Sequence, residues 1–322
     1  MSQTFGYGDV VLYGGSGCPE LSQKISEELN VPLGGRDVVK FSNENIFVRL
    51  HESVRGQDAF LIQTTSSPVN DNLMELLVFT DTLKRASAGR VSVVIPYLAY
   101  ARSDKKDQPR VPIAARLVAD IIQIAGADRY ITLDLHAGQI QGFFSIPGDA
   151  ITAFPLLADY MHQKDLSNAV VVAADLGFAK KARSFAVELD LPVAFIEKRR
   201  LADRTEALTI IGDIVGKDII LVDDEVDTGG TLYSDVLVLK EGGAQSVYCC
   251  FVHPVFSADA ADLLRGLPIT EIVTTNSVPL PPEKRLPNMT ILSVAPLLSG
   301  VIERVHTGSS VGEMFKPYHG YS

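Results

Sequence analysis

The stretch DIILVDDEVDTGGTLYSDVLVLKE, residues 218–241, decides the fold. Residues 219–222 are a short β-branched and leucyl run, the composition of a strand buried on both faces. Two carboxylates, Asp223 and Asp224, follow at once. Then come Asp227, Thr228, Gly229, Gly230 and Thr231, and a helical pattern over 232–240 that Gly242 and Gly243 end. The acidic pair stands at the carboxyl end of the strand, where open α/β sheets bind ligands. Glycine lets backbone N–H groups come close to a ligand. The helix that starts there adds the positive end of its dipole, and Thr228 and Thr231 add hydroxyl donors. This combination suits a phosphate monoester, and the carboxylates suit vicinal sugar hydroxyls. The loop itself has no lysine, so it is not the loop pattern of nucleoside-triphosphate binders.

The same rhythm extends outward. Strand-like runs fall at 10–13, 46–50, 59–63, 91–95 and 130–135, with helical patterns at 20–30, 74–85 and 113–125. Further runs follow at 170–174, 193–196, 208–211, 247–252 and 271–275. The alternation predicts an α/β fold of two similar domains, each a mostly parallel sheet flanked by helices. The halves answer one another: VVLY at 10–13 matches VVVA at 170–173, and AFLIQ at 59–63 matches IILVD at 219–223. After that strand the first half reads TTSSPVND, 64–71, a phosphate loop without the acidic pair. We read a duplication in which only the second copy kept the sugar site. The expected domains are 1–150 and 151–322, divided near 147–155, with the tail after Pro296 returning to the first.

A length of 322 residues agrees with two domains of ~150 each. With 46% hydrophobic and 21% charged residues the chain has ample core, and a net charge of -10 argues against a nucleic-acid partner. Cys18, Cys249 and Cys250 show no metal or disulfide spacing, which fits a reducing, cytoplasmic setting. No signal-like stretch opens the sequence and no apolar run approaches ~18 residues, so no membrane span is expected.

Other segments carry polar chemistry. FSNEN, 41–45, reads as a hairpin turn. YARSDKKDQPR, 100–110, is a solvated loop whose Arg102, Lys105, Lys106 and Arg110 would equally suit a triphosphate. His136 and Asp175 each follow a buried strand at its ligand edge. EKRRLADRTE, 197–206, has almost no apolar content and is expected to be a loop after its strand. Its Lys198, Arg199 and Arg200 suggest a lid over transferring phosphates.

VDDEVDTGGT, 222–231, resembles the phosphoribosyl-pyrophosphate loop of the phosphoribosyltransferase fold. Over nearly its whole length the chain resembles the ribose-phosphate pyrophosphokinases, or phosphoribosyl-pyrophosphate synthetases. The resemblance rests on FSNEN, ESVRG, PVNDNLMELL, YARSDKKD, DLHAGQIQGFF, AADLG, IEKRR, VDDEVDTGGT and TNSVPLPPEKR, in that order. It implies transfer of a pyrophosphoryl group from ATP to O1 of ribose 5-phosphate, releasing AMP. It implies ribose 5-phosphate on Asp223, Asp224, Asp227, Thr228, Gly229, Gly230, Thr231 and Arg200, with Lys198 and Arg200 as the catalytic cations. Phe41, Asn43, Glu44, Asn45, Arg102, Ser103 and Lys105 would bind the nucleotide, the first four from a loop that reaches a neighbouring subunit. His136 and Asp175 match Mg2+ positions, and a homodimer or homohexamer is expected.

The family often has a carboxylate at the position of Asn45 and glutamine at that of Ser103, so altered nucleotide choice is expected. Ser53, Arg55, Ser87 and Ser310 match a regulatory anion site, but Pro109 and Gly312 replace common serines, which implies weakened regulation. The alternatives are a phosphoribosyltransferase that consumes the product, and a non-catalytic regulatory paralogue. The retained His136, Asp175, Lys198 and acidic pair weigh against the latter.

Overall fold

The computed structural model describes residues 6–175, 177–200 and 206–315; the side chains of 198–200 and 206–208 lie outside the description. The first elements are β1 (Val10–Gly14), α1 (Pro19–Leu29), β2 (Arg36–Lys40), β3 (Ile46–Leu50), β4 (Asp58–Ile62) and α2 (Val69–Arg85). They continue as β5 (Arg90–Ile95), α3 (Ala114–Ile124), β6 (Arg129–Leu133), β7 (Gly148–Ile151) and α4 (Phe154–Met161). Next come β8 (Ala169–Ala173), α5 (Ala179–Glu188), β9 (Val193–Arg200), β10 (Glu206–Ile211), β11 (Asp218–Val226) and α6 (Gly230–Glu241). The last are β12 (Ser246–Pro254), α7 (Ala260–Arg265), β13 (Glu271–Thr275), β14 (Met289–Leu292) and α8 (Ala295–Thr307).

These elements form two compact units. The first holds Met1–Thr152, Ser277–Pro279 and Ser293–Val311; the second holds Ala153–Asn276, Leu280–Leu292 and Gly312–Ser322. In the first, a parallel sheet runs β1-β4-β5-β6-β7, and β2 and β3 pair separately as an antiparallel hairpin. β4 and β5 are buried along their whole length, as the apolar runs require. α2 covers them with Leu73, Leu76, Phe79, Thr80 and Leu83, a face of helical period.

In the second unit the sheet runs β10-β9-β8-β11-β12-β13-β14, parallel except for β10 against β9. The strand order reverses at β8 and β11, and such a switch point opens a crevice at the carboxyl edge. α6 packs Leu232, Val236 and Leu239 inward. It ends as its glycines demand: Gly243, at φ 91°, donates to the Lys240 carbonyl, and Ala244 donates to that of Leu239.

The two units share one plan. β1, α1, the β2–β3 hairpin, β4, α2, β5, α3, β6 and β7 correspond in order to β8, α5, the β9–β10 hairpin, β11, α6, β12, α7, β13 and β14. After β7 the chain enters the second unit as α4, whose Phe154 meets Phe178 and Phe185 of the α5 region at 5.7 Å each. After β14 it re-enters the first unit as α8, which packs on α1. There Asp58, fully buried, receives Arg90 at 2.7 and 2.5 Å and pairs with His306 of α8 at 2.8 Å. Arg90 also donates to the Val305 carbonyl at 3.1 Å.

Candidate active site

The acidic pair marks where the second sheet opens. β11 pairs with β8 only as far as Val222, opposite Ala173, but with β12 as far as Val226, opposite Pro254. The strand therefore does not stop before the pair; Asp223 and Asp224 are strand residues freed on one edge by the end of β8. Asp224 is buried and Asp223 half-buried. Asp223 Oδ1 accepts from the Asp224 N–H at 2.9 Å, and Asp224 Oδ1 from that of Glu225 at 3.1 Å. Burial first, then the charge of Asp224 and that of Asp175, push the Asp223 carboxyl well above the usual carboxylate range. Asp175 Oδ1 accepts from the Phe178 N–H at 2.8 Å, which fixes it where α5 begins.

Just beyond, Gly229 turns the chain with φ 78° and opens α6. Thr228, Gly230 and Thr231 are exposed and Gly229 is buried. The first amides of a helix have no acceptor within it, so the start of α6 offers donors to a ligand. The loop is anchored from the other side: Ser257 Oγ donates to Asp227 Oδ1. Sequence reasoning passed over Ser257, since it sits in no motif and is brought to Asp227 by the β12–α7 connection.

Residues 197–200 correct an expectation. They are not a loop but the end of β9, which outruns β8 and pairs with β10 from Ile211 opposite Phe195 to Glu206 opposite Arg200. Their charge hides the strand, because only β10 borders them and nothing need cover them. Lys198 and Arg200 are thus fixed in register, while their side chains, and residues 201–205, lie outside the described residues.

In the first unit the loop of 41–45 closes β2 onto β3. Phe41 N–H donates to the Asn45 carbonyl, Glu44 N–H to that of Phe41, and Asn43 Oδ1 accepts from Asn45 N–H at 3.2 Å. Phe41 is half exposed, Glu44 takes φ 68°, and Lys40 at the hairpin base pairs with Asp71 at 2.7 Å. Arg102, Ser103 and Lys105 line one pocket of about 280 Å³ with Asp107, Val111 and Pro112. Ser103 also caps α3: its Oγ accepts from Ala114 N–H at 3.2 Å and its carbonyl from Ala115 N–H at 3.1 Å. His136 is exposed just past β6. It belongs to the first unit and Asp175 to the second.

The loop of 64–71, counterpart of the phosphate loop, is knitted shut. Gln63 stands where β11 has Asp223; it is fully buried, accepts from Gly17 N–H at 2.9 Å and donates to the Asn72 carbonyl at 3.1 Å. Asn72 donates to the Ser66 carbonyl, Thr65 to that of Tyr97, and Glu75 accepts from Ser16 N–H at 2.7 Å. At the expected regulatory site, Gly56 N–H donates to the Ser87 carbonyl at 2.8 Å and Arg55 bridges to Ala88. Among the described residues no group of three or more His, Cys, Asp or Glu side chains is arranged to hold a metal ion by itself.

Known proteins match this chain along its length. A family model described as the N-terminal domain of ribose phosphate pyrophosphokinase matches residues 10–126, and one described as the phosphoribosyl synthetase-associated domain matches 198–316. A ribose-phosphate pyrophosphokinase of Campylobacter jejuni is 45% identical over 305 residues, covering 94% of this chain and 98% of the relative. One of Caldanaerobacter subterraneus is 47% identical over 306 residues, covering 94% and 97%. The crystal structure of phosphoribosylpyrophosphate synthetase from Mycobacterium smegmatis superposes with a TM-score of 0.90 at 41% identity, covering 94% of this chain and all of that one.

Proposed function

The chain belongs to the ribose-phosphate pyrophosphokinase family, and from that premise we propose how its two phosphoribosyltransferase-type units divide the work. The reaction moves a pyrophosphoryl group from ATP to O1 of ribose 5-phosphate, giving 5-phosphoribosyl 1-diphosphate and AMP. The observation that carries the assignment of sites is the freed acidic pair of β11 beside the exposed loop of Thr228, Gly230 and Thr231.

Ribose 5-phosphate takes the second unit. Asp223 and Asp224 accept from its ring hydroxyls; the amides and hydroxyls of Asp227, Thr228, Gly229, Gly230 and Thr231 hold its phosphate. Lys198 and Arg200, carried at the end of β9, counter the charge that grows on the transferring phosphoryl oxygens. The nucleotide takes the first unit, its phosphates on Arg102 and Lys105 in the pocket they line with Ser103. Phe41, Asn43, Glu44 and Asn45 supply further base contacts from the hairpin tip, in a homodimer or homohexamer. The exposed Val39, Phe41 and Phe47 on that hairpin favour self-association.

The raised carboxyl of Asp223, between Asp224 and Asp175, fits a divalent cation, whose charge would relieve the crowding. Mg2+ is held by few protein carboxylates plus substrate phosphates, in accord with Asp175 as a contact in the second unit and His136 as one in the first. When bound, it supplies charge neutralisation to the phosphoryl oxygens. The free thiols Cys18, Cys249 and Cys250 favour a cytoplasmic setting. No helix among the described residues is long and apolar enough to cross a membrane.

The test is to incubate the protein and magnesium with ribose 5-phosphate and ATP, GTP or CTP, and to follow the nucleoside monophosphate and the sugar diphosphate. ATP should give AMP and 5-phosphoribosyl 1-diphosphate in equal amounts. Asn45 and Ser103 predict that GTP or CTP also serves; a strong ATP preference refutes that part. No product with any triphosphate refutes the whole assignment.

A further inference from the structure

The loop that receives the sugar phosphate is braced by a segment outside every motif, and the inference drawn from this rests on the ribose 5-phosphate reading above. Between β12 and α7 the chain passes beside Asp227. Phe256 N–H donates to the Val226 carbonyl and Ser257 N–H to the Asp227 carbonyl, both at 3.0 Å. Ser257 Oγ donates to Asp227 Oδ1. The residues on either side of Ser257 are both left-handed: Phe256 has φ 43° and Ala258 φ 47°. A bulky side chain in that region is strained and persists only where its surroundings hold it. Here they do. The Phe256 ring is fully buried against Phe251, and Lys284 Nζ donates to the Phe256 carbonyl at 2.5 Å and to that of Ala258 at 3.4 Å.

The paired left-handed residues aim both donors of Ser257 at one aspartate. That aspartate opens a loop meant for a dianion, and a carboxylate directed at the phosphate would repel it. Drawn onto Ser257, the carboxylate leaves the loop's amides to the ligand. We propose that Ser257 is a positioning residue for ribose 5-phosphate, with Lys284 locking the turn that presents it.

Ser257→Ala, Ser257→Thr and Lys284→Met are compared with the wild type by steady-state kinetics, calorimetric titration with ribose 5-phosphate, and thermal melting. Ser257→Ala should raise both KM and Kd for ribose 5-phosphate about tenfold, the scale of one charge-assisted hydrogen bond, and leave kcat and the KM for ATP within about twofold. Ser257→Thr should restore binding, and Lys284→Met should shift it in the same direction by less. Unchanged ribose 5-phosphate binding in folded Ser257→Ala overturns the inference. So does an equal rise in both KM values, or a Ser257→Thr protein no better than Ser257→Ala. If Ser257→Ala does not fold, Lys284→Met decides alone, and unaltered binding there is the contrary result. Wild-type protein that binds no ribose 5-phosphate would instead defeat the functional reading itself.

Discussion

Asp223 has its carboxyl group held well above the usual range, chiefly by burial and then by Asp224 and Asp175. The pKa is higher in the folded than in the unfolded chain, so the stability this group contributes is complete below the unfolded value, near ~3.9. It is lost as pH rises through the raised value. At neutral pH without divalent cation the site therefore opposes folding. Asp223→Asn should melt about 2–4 °C above wild type at pH 7 in chelator, as a gain of ~1 kcal/mol would give, with the difference shrinking toward pH 4. Its turnover should fall by about 10²-fold or more. Magnesium should raise the wild-type melting point more than the variant's, and a variant that melts lower at neutral pH sinks this account. Such a residue is legible as a ligand, because an acidic pair after an apolar run has few structural uses. Ser103 is less legible: its sequence gives a hydroxyl near phosphates, and only the fold reveals that Ala114 uses its oxygen.

Among elements, the legible ones are those whose every residue meets the same environment. β8, β4 and β5 are buried throughout and read as uniform apolar runs. β2, β7 and β14 are short and mostly half-buried, so no run marks them. The β9 extension is hidden by its charge, and the Phe256–Ala258 turn by its dependence on partners distant in sequence. The β9 extension also yields a prediction. Lys198 rides on a strand paired with β10, not on the sugar loop. Lys198→Ala should lower kcat about 10³-fold while the Kd for ribose 5-phosphate, by calorimetry, stays within about threefold. Loss of both in proportion would point to a folding defect and remove the separate role.

At the scale of the molecule, each half of the chain completes the other's unit. α4 follows β7 yet belongs to the second unit, and α8 follows β14 yet belongs to the first. The α8 attachment runs through the buried Asp58 and Arg90 and the half-buried His306. Asp58→Asn would leave Arg90 without its counter-charge in a buried place, a change that costs ~3–5 kcal/mol and about 10 °C of melting temperature. A melt within ~2 °C of wild type would show that α8 is secured by other means. The crossing of α8 also sets an order of birth. Translation delivers β1 through β7 early, but α8, the helix that packs on α1, arrives only after Ala153–Asn276 and Leu280–Leu292 of the second unit have been made. The half made first thus waits for a helix made far later, and until then the face of α1 that α8 covers is the kind of surface that favours aggregation.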